Sequence, residues 1–237
     1  MPQTGDHGKP PSHAWTLVDS ARVPGNGGEL RLYRYEGEFA IRVDEDELMS
    51  SEVHGSEDAL AELACSRVSD RPQPRVLIGG LGMGYTLAAA LQVLGPEARV
   101  VVAELVPAVV AWNRGPLAVL AGHPLDDSRV RVREVDVRKV MQADRSGFDA
   151  ILLDVDNGPE GLTRQENNWL YSLDGLSVAF AALRPGGLLA VWSAGPDPAF
   201  TQRLHKAGFL VEEVLVKLHG VAEGERHTIW LGSREEL

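Results

Sequence analysis

The sequence predicts an α/β fold in which an open, mostly parallel sheet carries the chemistry and a small β-rich piece precedes it. Three observations support this. Apolar runs at Arg99-Val-Val-Val-Ala103, Phe148-Asp-Ala-Ile-Leu-Leu-Asp154 and Leu183-Arg-Pro-Gly-Gly-Leu-Leu-Ala-Val-Trp192 alternate with helix-forming stretches, the rhythm of strand–helix–strand units. An earlier run, Val76-Leu-Ile78, ends in Gly79, Gly80, Gly82 and Gly84, and Leu87-Ala-Ala-Ala-Leu-Gln92 follows at once. Late in the chain, residues 209–216 and 227–231 read as a closing antiparallel pair.

The elements follow in order. Residues 1–14, rich in Pro, Gly and polar groups, read as a disordered tail. Residues 15–70 form a small N-terminal β-rich domain with one helix. In it, alternating runs at 30–35 and 39–43 flank Glu36-Gly37-Glu38 as a hairpin, and residues 44–47 are an acidic turn. Residues 57–68 place Leu60, Leu63, Ala64 and Val68 on one helical face. A linker over 69–74 leads into the main domain, residues 71–237. A helix is expected at 107–120, with Pro107 in the first turn where its missing N–H costs nothing. Residues 129–136 are a further strand, and Pro185-Gly-Gly187 is a turn before the strand that follows it. The last helix is expected at 196–207, and no internal repeat is present.

Glycine tolerates positive φ and lets the backbone lie flat against a ligand. The helix that follows points its unpaired N–H groups the same way. Glycines 79, 80, 82 and 84 therefore mark a nucleoside loop, the plain alternative being tight strand–helix packing. Glu104 ends the next strand about 20 residues on, where a carboxylate binds ribose hydroxyls; it could also cap the helix near Pro107. The loop parses as G-x-G-x-G over Gly80, Gly82 and Gly84. It lacks the strict G-x-G-x-x-G spacing, which favours an S-adenosyl compound over NAD. Asp136 and Asp154 end the third and fourth strands. Ligands of open α/β sheets sit at the carboxyl ends of strands, which makes Asp154 the catalytic candidate. An Asx turn with Asn157 is the alternative. Asp156 and Asn157 either orient an amine or shape that turn. Trp169, Tyr171 and Trp192 either wall an acceptor pocket, where an aromatic face holds a cation, or pack in the core.

Taken together, the four glycines, Glu104, Asp136, Asp154 and Leu183-Arg-Pro-Gly-Gly187 resemble the class I S-adenosylmethionine-dependent transferase fold. Within it the chain is similar to the spermidine synthase-like polyamine aminopropyltransferases, over roughly residues 40–232. The narrower likeness is carried by the N-terminal β-rich piece, by Asp154-Val-Asp-Asn-Gly-Pro159 and by Leu170-Tyr-Ser-Leu-Asp-Gly-Leu176. The resemblance implies a Rossmann-like core of about seven strands, mostly parallel with an antiparallel closing strand. It also implies an acceptor for the adenine amino group at Asp136 and deprotonation of the attacking amine by Asp154. The N-terminal segment, here with Glu52 and His54, would close over the active site, and the hairpin would pair across a homodimer. The family's loop reads Asp-Ser/Thr-x-Asp-Pro. Asp154 matches its first Asp, whereas Asn157 stands at its second, with Asp156 one place before and Pro159 two after.

At 237 residues and 44% hydrophobic, the chain can form one sizeable core with a small appendage. A formal net charge of −11 argues against non-specific nucleic-acid binding, which needs a basic surface. The single Cys65 excludes an intramolecular disulfide, in keeping with a reducing compartment. No apolar signal region opens the sequence and no run approaches a membrane span, so a cytoplasmic location is expected. The expected reaction is transfer of an aminopropyl group, without a metal, from decarboxylated S-adenosylmethionine to a small amine. Methyl transfer from S-adenosylmethionine to a small molecule is the alternative, and a non-catalytic nucleoside-binding protein is a further one. An NAD-dependent oxidoreductase is disfavoured by the loop spacing and by the lack of a hydride-transfer residue set.

Overall fold

The computed structural model describes residues 14–25, 28–44, 46–155, 168–217 and 226–235. The tail expected over residues 1–14 lies, except for Ala14, outside them. The described chain begins with four strands, β1 (Thr16–Arg22), β2 (Glu29–Tyr35), β3 (Glu38–Val43) and β4 (Asp46–Ser50), in an antiparallel sheet of order β1-β2-β3-β4. The hairpin expected from the alternation is β2 and β3, turning at Glu36 and Gly37, both with positive φ. Its alternate residues Leu30, Leu32, Phe39 and Ile41 are buried. The flanking strands add to that expectation. Asp46 and Glu47, expected in a turn, already belong to β4 and pair with β3.

The helix α1 (Gly55–Cys65) is followed by β5 (Arg75–Gly79), α2 (Tyr85–Val93), β6 (Arg99–Glu104), α3 (Pro107–Arg114), β7 (Val130–Glu134), α4 (Val137–Ala143), β8 (Phe148–Leu153), α5 (Leu173–Ala182), β9 (Leu183–Ser193), α6 (Pro198–Lys206), β10 (Leu210–Lys217) and β11 (Arg226–Ser233). The seven strands β5–β11 form one sheet in the order β10-β11-β9-β8-β5-β6-β7. Strands β7, β6, β5, β8 and β9 run parallel. Strand β11 is reversed against both β9 and β10. This is the mostly parallel seven-stranded sheet with an antiparallel closing strand that the resemblance implies.

Successive residues of a strand face opposite sides, so an apolar run feeds two cores at once. Val76 and Ile78 of β5 join Leu60, Ala64, Leu87 and Val110 on the side of α1, α2 and α3. Leu77 joins Met141, Leu176 and Leu204 on the side of α4, α5 and α6. The first of these cores also takes in Leu30, Leu32, Phe39 and Ile41, so the small sheet shares apolar packing with the large one.

Three departures from the sequence expectation bear on the fold. Helix α1 starts at Gly55 and ends at Cys65, whereas 57–68 was expected. Helix α3 stops at Arg114 because Gly115 precedes Pro116, and a residue before proline is pushed out of the helical region. The Pro185-Gly-Gly187 segment lies inside β9. Gly186 takes φ +70° there, and the register against β8 slips between Phe148 and Ala150.

Candidate active site

The carboxyl ends of β5, β6, β7 and β8 lie along one edge of the large sheet, and the glycine loop is folded onto that edge by backbone bonds. Gly80 N–H donates to Ala103 O at 3.0 Å, and Asp154 N–H donates to Gly79 O at 3.0 Å. Gly80 has φ +88°, and a Cβ there would collide with the Asp154 carbonyl oxygen. Gly84, with φ +89°, opens α2; a Cβ would stand 2.9 Å from Asn113 Oδ1. The Asn113 amide in turn donates to Gly82 O at 2.8 Å, fixing the middle of the loop from α3. The loop thus leaves no room for a side chain at Gly80 or Gly84, and at Gly82 it lies against the Met49 side chain.

Glu104 ends β6 buried, at 7% exposure. Its two oxygens accept from Leu81 N–H at 2.9 Å and Val106 N–H at 2.8 Å. One carboxylate therefore ties the glycine loop to the entry of α3. A ribose reaching Glu104 would share a group already engaged by backbone. Asp136 is the N-cap of α4: its Oδ1 accepts from Arg138 N–H at 2.8 Å, and Oδ2 lies 3.3 Å from the Arg138 guanidinium.

Asp154 follows β8 and faces α2. Thr86, in the first turn of α2, donates its hydroxyl to Asp154 Oδ2 at 2.6 Å. Burial raises the carboxyl above the ordinary carboxylate range, with the Thr86 bond acting the other way. Beside it lies a second carboxylate, Glu57, at the start of α1. Burial first, and the Asp154 charge second, push Glu57 up to about 7. Ser56 Oγ donates to Glu57 Oε2 at 2.6 Å and also lies 2.8 Å from His227 Nδ1. Burial and the Asp154 charge together leave Glu57 able to hold a proton near neutral pH.

The other residues singled out from the sequence are spread around this centre. His54 stacks on Tyr85 with ring centroids 4.0 Å apart and an 11° interplanar angle, and its Nδ1 is 2.8 Å from Asp58 Oδ2. The Tyr85 hydroxyl donates to Ser51 O at 3.2 Å, linking α2 to the end of β4. Burial, then the charges of Asp58 and Glu57, raise that phenol to about 12. Glu52 is exposed in the turn after β4 and helps raise Glu38 through its charge. Trp192, from β9, meets His227 edge-on at 4.7 Å, on the α1 side of the sheet.

Tyr171 lies on the opposite side, packed against Phe200, and its hydroxyl donates to Val155 O at 2.9 Å. It therefore props the chain just past Asp154 from beneath. Trp169 is half-buried with the Arg138 guanidinium 5.6 Å from its ring centre, close to the Asp136 cap. Asp156 and Asn157 lie outside the described residues. Among the described residues, no group of three or more His, Cys, Asp or Glu is placed to hold a metal ion, and no helix is long and apolar enough to cross a membrane.

The sequence reading passed over Glu57, Ser56 and Thr86. A signal for Glu57 was present: positions 57, 60, 61 and 64 recur at helical spacing, so Glu57 stands on the buried face of α1 with Leu60, Ala61 and Ala64. A charge on an apolar stripe is the sequence mark of a buried carboxylate. Thr86 carried no such mark, since its role depends on β8 bringing Asp154 beside α2.

No protein-family model matches the chain. The polyamine aminopropyltransferases of Mycobacterium tuberculosis (strain H37Rv) and Mycobacterium bovis are 30% identical to it over 178 residues, covering 73% of this chain and 31% of theirs. The chain thus spans about a third of the length of the curated relatives it matches. Among solved structures, the spermidine synthase from Thermotoga maritima superposes with a TM-score of 0.71 at 15% identity, covering 92% of this chain and 72% of that one. A probable spermidine synthase from Corynebacterium glutamicum gives a TM-score of 0.62 at 15% identity, covering 92% and 79%. The chain is similar in sequence to polyamine aminopropyltransferases and in fold to spermidine synthases, which makes it spermidine synthase-like, within the class I methyltransferase fold.

Proposed function

We propose that the chain is an aminopropyltransferase that moves an aminopropyl group from decarboxylated S-adenosylmethionine to a small amine acceptor, and that it works in the cytoplasm. The observation that carries this is the environment of Asp154: a carboxyl raised by burial, held by Thr86, and set against the glycine loop at the sheet edge. The likeness to polyamine aminopropyltransferases supports the same reading.

In this reading Gly80, Gly82 and Gly84 cradle the nucleoside, Glu104 binds its ribose, and Asp136 and Trp169 flank its adenine. The sulfonium donor supplies an activated carbon and a leaving group that departs as a neutral thioether. An alkylammonium cannot attack that carbon until it loses a proton. Asp154, whose carboxyl is raised by burial above the ordinary carboxylate value, accepts it at the nitrogen.

Turnover with decarboxylated S-adenosylmethionine and a panel of diamines tests the proposal. Asp154→Asn is expected to lower kcat by about a hundredfold or more, the usual scale for loss of a general base, while the affinity for methylthioadenosine stays within about twofold. Preferred binding of S-adenosylmethionine itself, with methyl transfer to an acceptor, would replace this reading. Wild-type kinetics in the Asp154→Asn protein would remove that residue from catalysis.

A further inference from the structure

Strand β10 is the outermost strand of the large sheet, and β11 covers only one of its two edges. It pairs with β11 over all 8 of its residues without a bulge, and it contains no proline. Its other edge is an unbroken row of backbone groups that no strand among the described residues meets. Two of its side chains, Leu210 and Leu215, are apolar and 56% and 54% exposed. Sheets deter pairing at such an edge with a bulge, a proline or charges. Only charges are present here, at Glu212, Glu213 and Lys217. Glu212 is satisfied within the chain, 2.6 Å from Arg67. Glu213 accepts from Thr201 with Oε1, and its Oε2 has no partner among the described residues. Lys217 has no hydrogen bond or ion pair among the described residues, and it stands opposite another cation, Arg226, on β11.

We propose that two copies of the chain join along this edge, β10 against β10, antiparallel about a two-fold axis through Leu215. The side chains select that register. A two-fold axis normal to the sheet keeps each face of a strand on its own side, and residues directly opposite each other share a face. The axis must therefore pass through a residue, because one between residues would oppose side chains of different faces. An axis through Glu212 or Glu213 sets that carboxylate against its own twin. One through Val214 opposes Glu213 to Leu215 and Lys217 to Val211, and one through Val216 opposes Lys217 to Leu215. Only an axis through Leu215 brings opposite charges together: Glu213 meets Lys217 of the second copy on both sides of a Leu215–Leu215 contact.

The pairing satisfies what the single chain leaves open. Leu215 leaves water against its twin, and each Lys217 gains a carboxylate on the side away from Arg226. Thr201 of α6 already ties Glu213 to the α6 face of the sheet, the face that Leu215 and Lys217 share with it. On the other face the half-buried Val214 meets Val216. A seam over residues 213–217 of each copy is short beside an ordinary interface, so the dimer forms as concentration rises. Strands β11, β9 and β8 separate β10 from β5, and the glycine loop stays uncovered.

The test is sedimentation velocity from about 1 μM to about 500 μM on the wild type, Lys217→Glu, and the double substitution of Glu213→Lys with Lys217→Glu. The wild type should pass from monomer to dimer across that range. Lys217→Glu sets carboxylates against each other at both ends of the seam and should weaken the dimer about tenfold or more. The double substitution restores the opposite charges and should restore the dimer. Because it also removes the bond to Thr201, a pair of cysteine variants decides the register independently. Leu215→Cys in oxidised glutathione should give a disulfide-linked dimer, since directly opposite Cβ atoms lie within about 5 Å. Leu210→Cys, equally exposed but about 30 Å from its twin, should not. The native Cys65 is buried, so the cross-link reports on the introduced thiol. A wild type that is monomeric throughout overturns the proposal. So does a dimer that Lys217→Glu leaves intact, or equal cross-linking at 210 and 215, either of which puts the contact elsewhere, as at the N-terminal hairpin.

Discussion

Thr86 shows how much a single hydroxyl does here. Its bond to Asp154 Oδ2 favours the charged form of that carboxyl, against the effect of burial. A hydrogen bond to a charged acceptor contributes about 1.5–3 kcal/mol. Thr86→Val keeps the shape of α2 and removes the bond, so Asp154 should hold its proton more tightly. The acid limb of the pH–rate profile then moves to higher pH, and turnover at neutral pH falls about tenfold and recovers in alkali. An unmoved limb would mean that another group governs it. Such a role was illegible in the sequence. Thr86 and Asp154 are far apart in the chain and meet only because β5 pairs with β8 and leads into α2. The four glycines were legible, because a positive φ and a crowded backbone leave no other residue type at Gly80 and Gly84.

Among elements, Glu104 is the joint. It holds Leu81 of the glycine loop and Val106 at the entry of α3 with its two oxygens. Glu104→Ala would strand two backbone N–H groups in a buried place, each costing about 1–3 kcal/mol. Calorimetric titration should show weakened methylthioadenosine binding, and thermal unfolding should show a lower midpoint. Full affinity in a destabilised protein would make Glu104 a joint alone and not a ribose ligand. The regular elements around it were readable where apolar runs met glycine or proline. Strand β1 was not, because it lies at an edge with Leu17 and Val18 in solvent and so lacks the half-buried alternation that betrays a strand. The end of α3 was overlooked because the apolar pattern continues past Gly115 and Pro116 into turns that are still buried at Leu117 and Ala118.

For the molecule as a whole, the paired carboxyls set a pH dependence of stability. Folding raises Glu57 from the ordinary 4.5 to about 7. A carboxyl raised in the folded state binds its proton more tightly there than in the unfolded chain. Its contribution is therefore fully present below about pH 4.5 and is lost as pH climbs through about 7. The loss across that window is on the order of 3 kcal/mol. Glu57→Gln abolishes that titration and can still accept from Ser56, so its unfolding temperature should exceed that of the wild type at pH 8 and vary less between about pH 5 and about pH 7. Parallel stability curves for the two proteins would contradict a buried, titrating Glu57.

The reversal of β11 also decides which way the molecule faces the world. Because that strand runs against its neighbours, it starts at His227 beside the edge that carries the glycine loop and finishes at the far one, where Arg234 N–H donates to Gly187 O at 2.8 Å. The described chain therefore ends, at residue 235, on the side remote from the glycine loop. A protein anchored to a solid support near residue 235 would present its glycine loop outward, toward the solution.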